Sequence, residues 1–175
     1  MPHPACLSEE ELLPDLRFEA IRASGPGGQH RNRVATGVRV THLPTGVRAA
    51  ATERRSARDN RREALFRLRR RLALEWRSPL DDARLVPPEA YRPSEAWLRR
   101  RRGGRIQVST SHTDFPALLA EVLDRLHADA DDVAATARAF GVSRSQLVRF
   151  LALEPAALAA LNARRRERGE RPLRA

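Results

Sequence analysis

Near the start of the chain, Leu16, Phe18 and Ala20 alternate with Arg17 and Glu19, the two-residue period of a half-buried strand. Val38 and Val40 alternate with Arg39 and Thr41, Pro44-Thr45-Gly46 supplies a turn, and Val47, Ala49 and Ala51 continue beyond it, which predicts a hairpin. The period then lengthens. Ala64, Leu65, Leu68 and Leu72 share one face of a helix that Ser56-Ala57-Arg58-Asp59 opens as a capping-box-like start. Arg58, Arg61, Arg62, Arg69 and Arg70 lie largely elsewhere on its circumference, and Glu63 to Arg67 is a favourable pair four residues apart. Residues 1–77 therefore read as an α+β domain, a small antiparallel sheet backed by a long basic helix ending near Trp76.

Beyond it, residues 78–112 hold Pro79, Pro87, Pro88 and Pro93 and the run Arg99-Arg100-Arg101-Arg102-Gly103-Gly104-Arg105. This predicts an irregular basic linker rather than core. Helical periodicity returns from Asp114, where Leu118, Leu119, Val122, Leu123 and Leu126 form one stripe. Val133 to Phe140, Gly141 as a stop and Ser143-Arg144-Ser145-Gln146 as a second cap outline a helix-turn-helix. Pro155 suits the first turn of a last helix that runs into Arg164-Arg165-Arg166. Residues 113–175 are expected to be an all-helical module with a basic C-terminus.

Composition adds a partner class. Among 175 residues the net charge is +11, and all 33 Lys+Arg positions are arginine, which points to an acidic partner. A compositional bias explains the choice of arginine over lysine; bidentate binding of phosphate and stacking on bases give it a use. One cysteine, Cys6, excludes a disulfide framework and a thiolate metal site. Glu9, Glu10 and Glu11 stand where a targeting peptide would be basic, and no apolar run reaches membrane-spanning length, so a cytoplasmic protein with no membrane partner is expected.

The segment Ala23-Ser24-Gly25-Pro26-Gly27-Gly28-Gln29 cannot be regular structure. A phosphate-binding loop needs a lysine, and there is none; a dinucleotide loop needs glycine where His30 stands. A nucleophile elbow needs glycine where Arg22 stands. A plain surface turn is the bland reading. A chemical reading fits better: paired glycines let the backbone enter a tight space, and the following amide presents both an N–H and a carboxamide. A carboxamide is no general base, but Gln29 can orient water while backbone N–H groups stabilise an oxyanion. Such a site is incomplete and suits a reaction whose other parts come from the partner.

The stretch from Arg22 to Asn32 resembles the signature of the catalytic domain of bacterial class I peptide chain release factors. The resemblance continues through Val38-Arg39-Val40-Thr41-His42-Leu43-Pro44-Thr45-Gly46 and picks up Arg55-Ser56, Asn60, Ala64 and Leu68, covering about residues 16–76. It implies hydrolysis of the peptidyl-tRNA ester in the ribosomal peptidyl transferase centre, without a cofactor or metal. Gln29 would be the principal catalytic residue, with Gly27 and Gly28 giving it its conformation and Ser24, Gly25 and Asn32 shaping the loop. The implied partners are ribosomal RNA, P-site peptidyl-tRNA and a glutamine N5-methyltransferase acting on Gln29; no DNA partner is expected. His30 and His42 would be structural or RNA-contacting. The arginines nominated for RNA are Arg31, Arg33, Arg58, Arg62, Arg99, Arg100, Arg101, Arg102, Arg105, Arg164, Arg165 and Arg166.

Nothing after Trp76 resembles the stop-codon-reading domain of full release factors, so codon-independent release of the ribosome-rescue type is expected. Rescue factors usually end in an extended basic tail, whereas here Glu167 and Glu170 interrupt the terminal arginines. Two other readings stand beside this one. One is a catalytically inactive regulator that occupies the ribosomal site. The other is a helix-turn-helix DNA-binding protein using Arg144, Gln146 and Arg149.

Overall fold

The computed structural model describes residues 2–22, 35–79 and 85–175. They form two compact units, residues 2–76 and residues 77–175.

In the first unit, helix α1 (Glu9–Leu12) opens with a reciprocal capping box between Ser8 and Glu11 and delivers Leu12 to the core. Strands β1 (Leu16–Ile21), β2 (Gly37–His42) and β3 (Arg48–Ala51) form an antiparallel sheet in that order. Gly46, at φ 71°, takes the left-handed position that closes the β2–β3 turn. Helix α2 (Ala57–Glu75) starts at Ser56, whose hydroxyl accepts from the Asp59 N–H, and lies against β2 and β3. Its buried stripe is Asn60, Ala64, Leu65, Leu68, Leu72 and Ala73, against Val40, Ala49 and Ala51. Truncating Leu68 or Leu72 to alanine would cost about 2–5 kcal/mol. Two arginines of α2 also treat the open edge of β3: Arg67 donates to Ala50 O at 2.9 Å and Arg71 donates to Arg48 O. An edge strand whose carbonyls are occupied is a poorer template for a stray strand.

The second unit is helical. Helix α3 (Glu95–Arg100) is followed by a two-residue-per-strand hairpin, β4 (Arg101–Arg102) and β5 (Arg105–Ile106). Helices α4 (Phe115–Ala128), α5 (Val133–Ala139), α6 (Arg144–Ala152) and α7 (Pro155–Glu167) complete it. The expected linker over residues 78–112 is therefore corrected: it holds α3, which enters this unit's core through Trp97, and an exposed hairpin. Trp97 is fully buried, 4.5 Å from the Phe140 ring and 5.4 Å from that of Phe150, and its indole N–H donates to Phe140 O. Asp124 on α4 accepts from Arg77 and from the Ser78 N–H, while Glu121 accepts from Ser94 and from the Tyr91 hydroxyl. Burial pushes the Glu121 carboxyl up, against these hydrogen bonds.

The connection between α4 and α5 runs through Ala130 at φ 51° and Asp131 at φ 65°, a left-handed pair without glycine. Asp131 is buried, and both Arg164 and Arg168 of the α7 end donate to it at 2.8–3.0 Å. After α7, Gly169 at φ 73° reverses the chain, and Leu173 exchanges two hydrogen bonds with the Asn162 carboxamide.

Candidate active site

Residues 23–34 lie outside the described residues, and with them the predicted Ser24, Gly25, Gly27, Gly28, Gln29, His30, Arg31, Asn32 and Arg33. The frame from which that segment departs and to which it returns is described. β1 ends at Ile21 and β2 begins at Gly37, and these two residues face each other in register. Gly37 is a glycine for a steric reason: a Cβ there would sit 2.7 Å from Ile21 O and 2.8 Å from the Thr52 methyl.

One turn into α2, Asn60 closes this frame from below. It is fully buried, its Nδ2 donates to Thr36 O and Arg54 O at 2.8 Å, and its Oδ1 accepts from the Arg54 N–H at 2.9 Å. Two carbonyls and one N–H fix the amide's orientation, because only the NH₂ end can serve both carbonyls. Asn60 thus binds residue 36, where the chain re-enters the sheet, to the strand-to-helix connection at residue 54. The sequence carried a signal for this: Asn60, Ala64, Leu68 and Leu72 are spaced by four, so a polar residue occupies the apolar stripe and must find partners if buried.

Around this frame the first unit is basic. Arg58 and Arg62, four residues apart, share an exposed face of the first turns of α2. Arg61 lies with its guanidinium 3.9 Å over the Phe18 ring. His42 sits at the opposite end of β2 from the glycine segment; it is buried, and its Nδ1 pairs with the Thr45 hydroxyl at 2.8 Å. Burial holds its imidazole below the ordinary value, against the pull of the Asp15 charge, so it stays neutral and braces the β2–β3 turn.

The nominated arginines of the second unit separate into two groups. Arg100 donates to Asp114 at 3.0–3.1 Å, Arg164 to Asp131 at 2.8 Å, and Arg165 pairs with Glu170 at 2.6 Å, so these three are committed within the unit. Arg101 donates to Gly141 O. Arg99 meets Glu95 only at 3.8 Å, and Arg102, Arg105 and Arg166 are exposed with no carboxylate within 4 Å among the described residues. A cleft of about 350 Å³ lies among Asp131, Asp132, Arg144, Arg165, Arg168 and Glu170, mixed in charge and without a nucleophile. Among the described residues no group of three His, Cys, Asp or Glu could hold a metal ion, and no helix is long and apolar enough to cross a membrane.

Comparison with known proteins converges on the first unit. Residues 11–92 match the family model of the RF-1 domain. Peptide chain release factor 1 of Acidiphilium cryptum is 50% identical over 64 residues, covering 37% of this chain and 18% of that protein. Peptide chain release factor 1 of Ureaplasma parvum is 52% identical over 58 residues, 33% of this chain and 16% of that protein. Peptide chain release factor 2 of Burkholderia pseudomallei is 36% identical over 107 residues, 61% of this chain and 23% of that protein. The chain thus spans roughly a fifth of the length of these relatives. By this match, on the sheet-and-helix frame that brackets Gly27-Gly28-Gln29, residues 11–92 carry an RF-1 domain similar to that of peptide chain release factors 1 and 2.

Proposed function

We propose that this protein releases nascent peptide on the ribosome by hydrolysing the ester of P-site peptidyl-tRNA, and that it does so without reading a codon. The observation that carries the proposal is the RF-1 match over residues 11–92, which contains Gly27-Gly28-Gln29 on the connection between β1 and β2. Gln29 orients the attacking water through its carboxamide, and its backbone N–H stabilises the oxyanion of the tetrahedral intermediate. Gly27 and Gly28 permit the backbone conformation this needs. Gln29 is also the residue a glutamine N5-methyltransferase would modify, and the ribosome supplies the remaining parts of the site. Codon independence draws support from residues 93–175, which lie beyond the family match and build helices packed on Trp97. They suit a rescue factor acting on stalled ribosomes.

The test is release of labelled peptide from purified ribosome complexes carrying a sense codon, a stop codon or an empty mRNA channel in the A site. Wild type releases peptide, fastest from the empty channel, and Gln29→Ala abolishes release while leaving ribosome binding intact. Release confined to the stop codon would remove codon independence. No release from any complex, with binding intact, would leave a ribosome-binding regulator.

A further inference from the structure

The basic run at residues 99–105 is a shaped element. Arg100 is tied to Asp114 and His112, and Arg101 donates to Gly141 O at 3.0 Å, in the turn between α5 and α6. Trp97, just before the run, donates to Phe140 O at the same corner, and β5 lies against α6. Beyond these anchors the hairpin projects outward. Gly103 and Gly104 both have positive φ, and nothing lies within 4 Å of where a side chain would begin on either.

At its tip Arg102 and Arg105 are paired directly across the two strands. Like charges opposite each other on a ribbon are destabilising, and a hairpin this short has little else to hold it. Neither arginine has a carboxylate within 4 Å among the described residues. Elsewhere in the unit several arginines are closely neutralised, Arg125 by Asp129 and Arg164 and Arg168 by Asp131. On α6, Arg149 is exposed and unpaired in the same sense, and α6 carries no acidic residue. Nine residues make α6 about 13 Å long, so the hairpin against it and Arg149 fall within the reach of one nucleic-acid groove. Arg144 belongs to the mixed-charge cleft with Asp131 and Asp132 and is not part of this surface.

We infer that the β4–β5 hairpin tip and the exposed face of α6 form a docking surface for double-helical RNA, with Arg102, Arg105 and Arg149 on its phosphates. A phosphate between Arg102 and Arg105 turns their repulsion into two charge-assisted contacts, so the unfavourable pair is relieved when the partner is present. The choice of RNA rests on the ribosomal reading of the first unit; the surface itself rests on the geometry above.

The experiment uses the full chain and three probes: purified ribosomes, a plain RNA duplex, and a DNA duplex of the same sequence, each across a salt series. Arg102→Ala/Arg105→Ala should weaken ribosome and RNA-duplex binding about tenfold or more and flatten the salt dependence by about two phosphate contacts, and Arg149→Ala by about one. Arg171→Ala/Arg174→Ala removes the same charge from the C-terminal residues and should change binding less than about twofold. The hairpin variant should melt no lower than wild type, which separates lost docking from lost folding. Equal losses in both double variants, or unchanged binding in the hairpin variant, would overturn the surface. Preference for the DNA duplex over RNA and ribosomes would overturn the partner. Weakened binding in the variants, with no peptide release by wild type, would support the surface while removing the hydrolase reading.

Discussion

Asn60 and Asp131 do the same work by different means. Each is a buried polar residue that ties a chain connection to the body of its own unit: Asn60 at the root of residues 22–36, Asp131 between α4 and α5. Asn60 is neutral and meets only backbone groups, two carbonyls and an N–H. Asp131 is charged and meets two arginines whose side chains are 45% and 39% exposed. The neutral staple is set by geometry alone and is indifferent to pH and salt. The ionic one is adjustable, since its partners can return to water and its carboxyl can be protonated. The unit carrying the glycine segment thus has the insensitive fastening, and the helical unit has the sensitive one.

Exchanging the two residue types breaks the comparison most directly. Asn60→Asp keeps the shape but sets a charged acceptor against Thr36 O and Arg54 O, and should destabilise the first unit by more than about 3 kcal/mol. Hydrogen exchange read by mass spectrometry will show faster exchange confined to residues 2–76. Unchanged exchange there would mean the staple is dispensable. The converse change, Asp131→Asn, removes the charge but keeps volume and tolerance of positive φ. It should cost the second unit about 1–2 kcal/mol, reduced because both arginines are partly solvated.

Acid sharpens the contrast. Burial pushes the Asp131 carboxyl up, but hydrogen bonds from Arg164 and Arg168 outweigh it and hold the group below its ordinary value of 3.8. A lowered folded pKa gives stability that is complete above that value and lost as pH falls below it. Denaturant titrations between neutral pH and pH 2 should therefore show acid weakening of the second unit that Asp131→Asn reduces. In Asn60→Asp the sign reverses: the new carboxyl, facing carbonyls, is raised, so the first unit of that variant weakens as pH rises from 4. The smallest effect is a gain. Ala130 holds φ 51°, and Ala130→Gly should stabilise the second unit by about 0.5–1 kcal/mol, visible as a higher denaturation midpoint. A lower midpoint would show that the left-handed pair carries no strain.

Much of the first unit was legible because its signals are periodic. Leu16, Phe18 and Ala20 mark β1, Val38 and Val40 mark β2, and the four-residue spacing from Ala64 to Leu72 marks α2. Gly27-Gly28-Gln29 was legible as a motif, through residue types rather than geometry. Residues 78–112 were misread because α3 is six residues long, too short for periodicity, and its burial rests on one side chain, Trp97, amid arginines and prolines. No pattern announces that Asp124 and Glu121, forty and more positions away from Arg77 and about thirty from Tyr91, hold this segment down. Likewise the arginine run gave its charge but not the division between Arg100, bound to Asp114, and the open pair Arg102 and Arg105.

The chain holds two tryptophans, and each unit has one. Trp76 is partly solvent-exposed, with the His3 ring edge-on at 4.9 Å, while Trp97 is sealed among Phe140 and Phe150. An indole in contact with water emits at longer wavelength than one in an apolar cage, so the two fluorophores form separate optical channels. Intrinsic emission followed at its red and blue edges can then report on the sheet-and-helix unit and the helical unit independently, without a label on either.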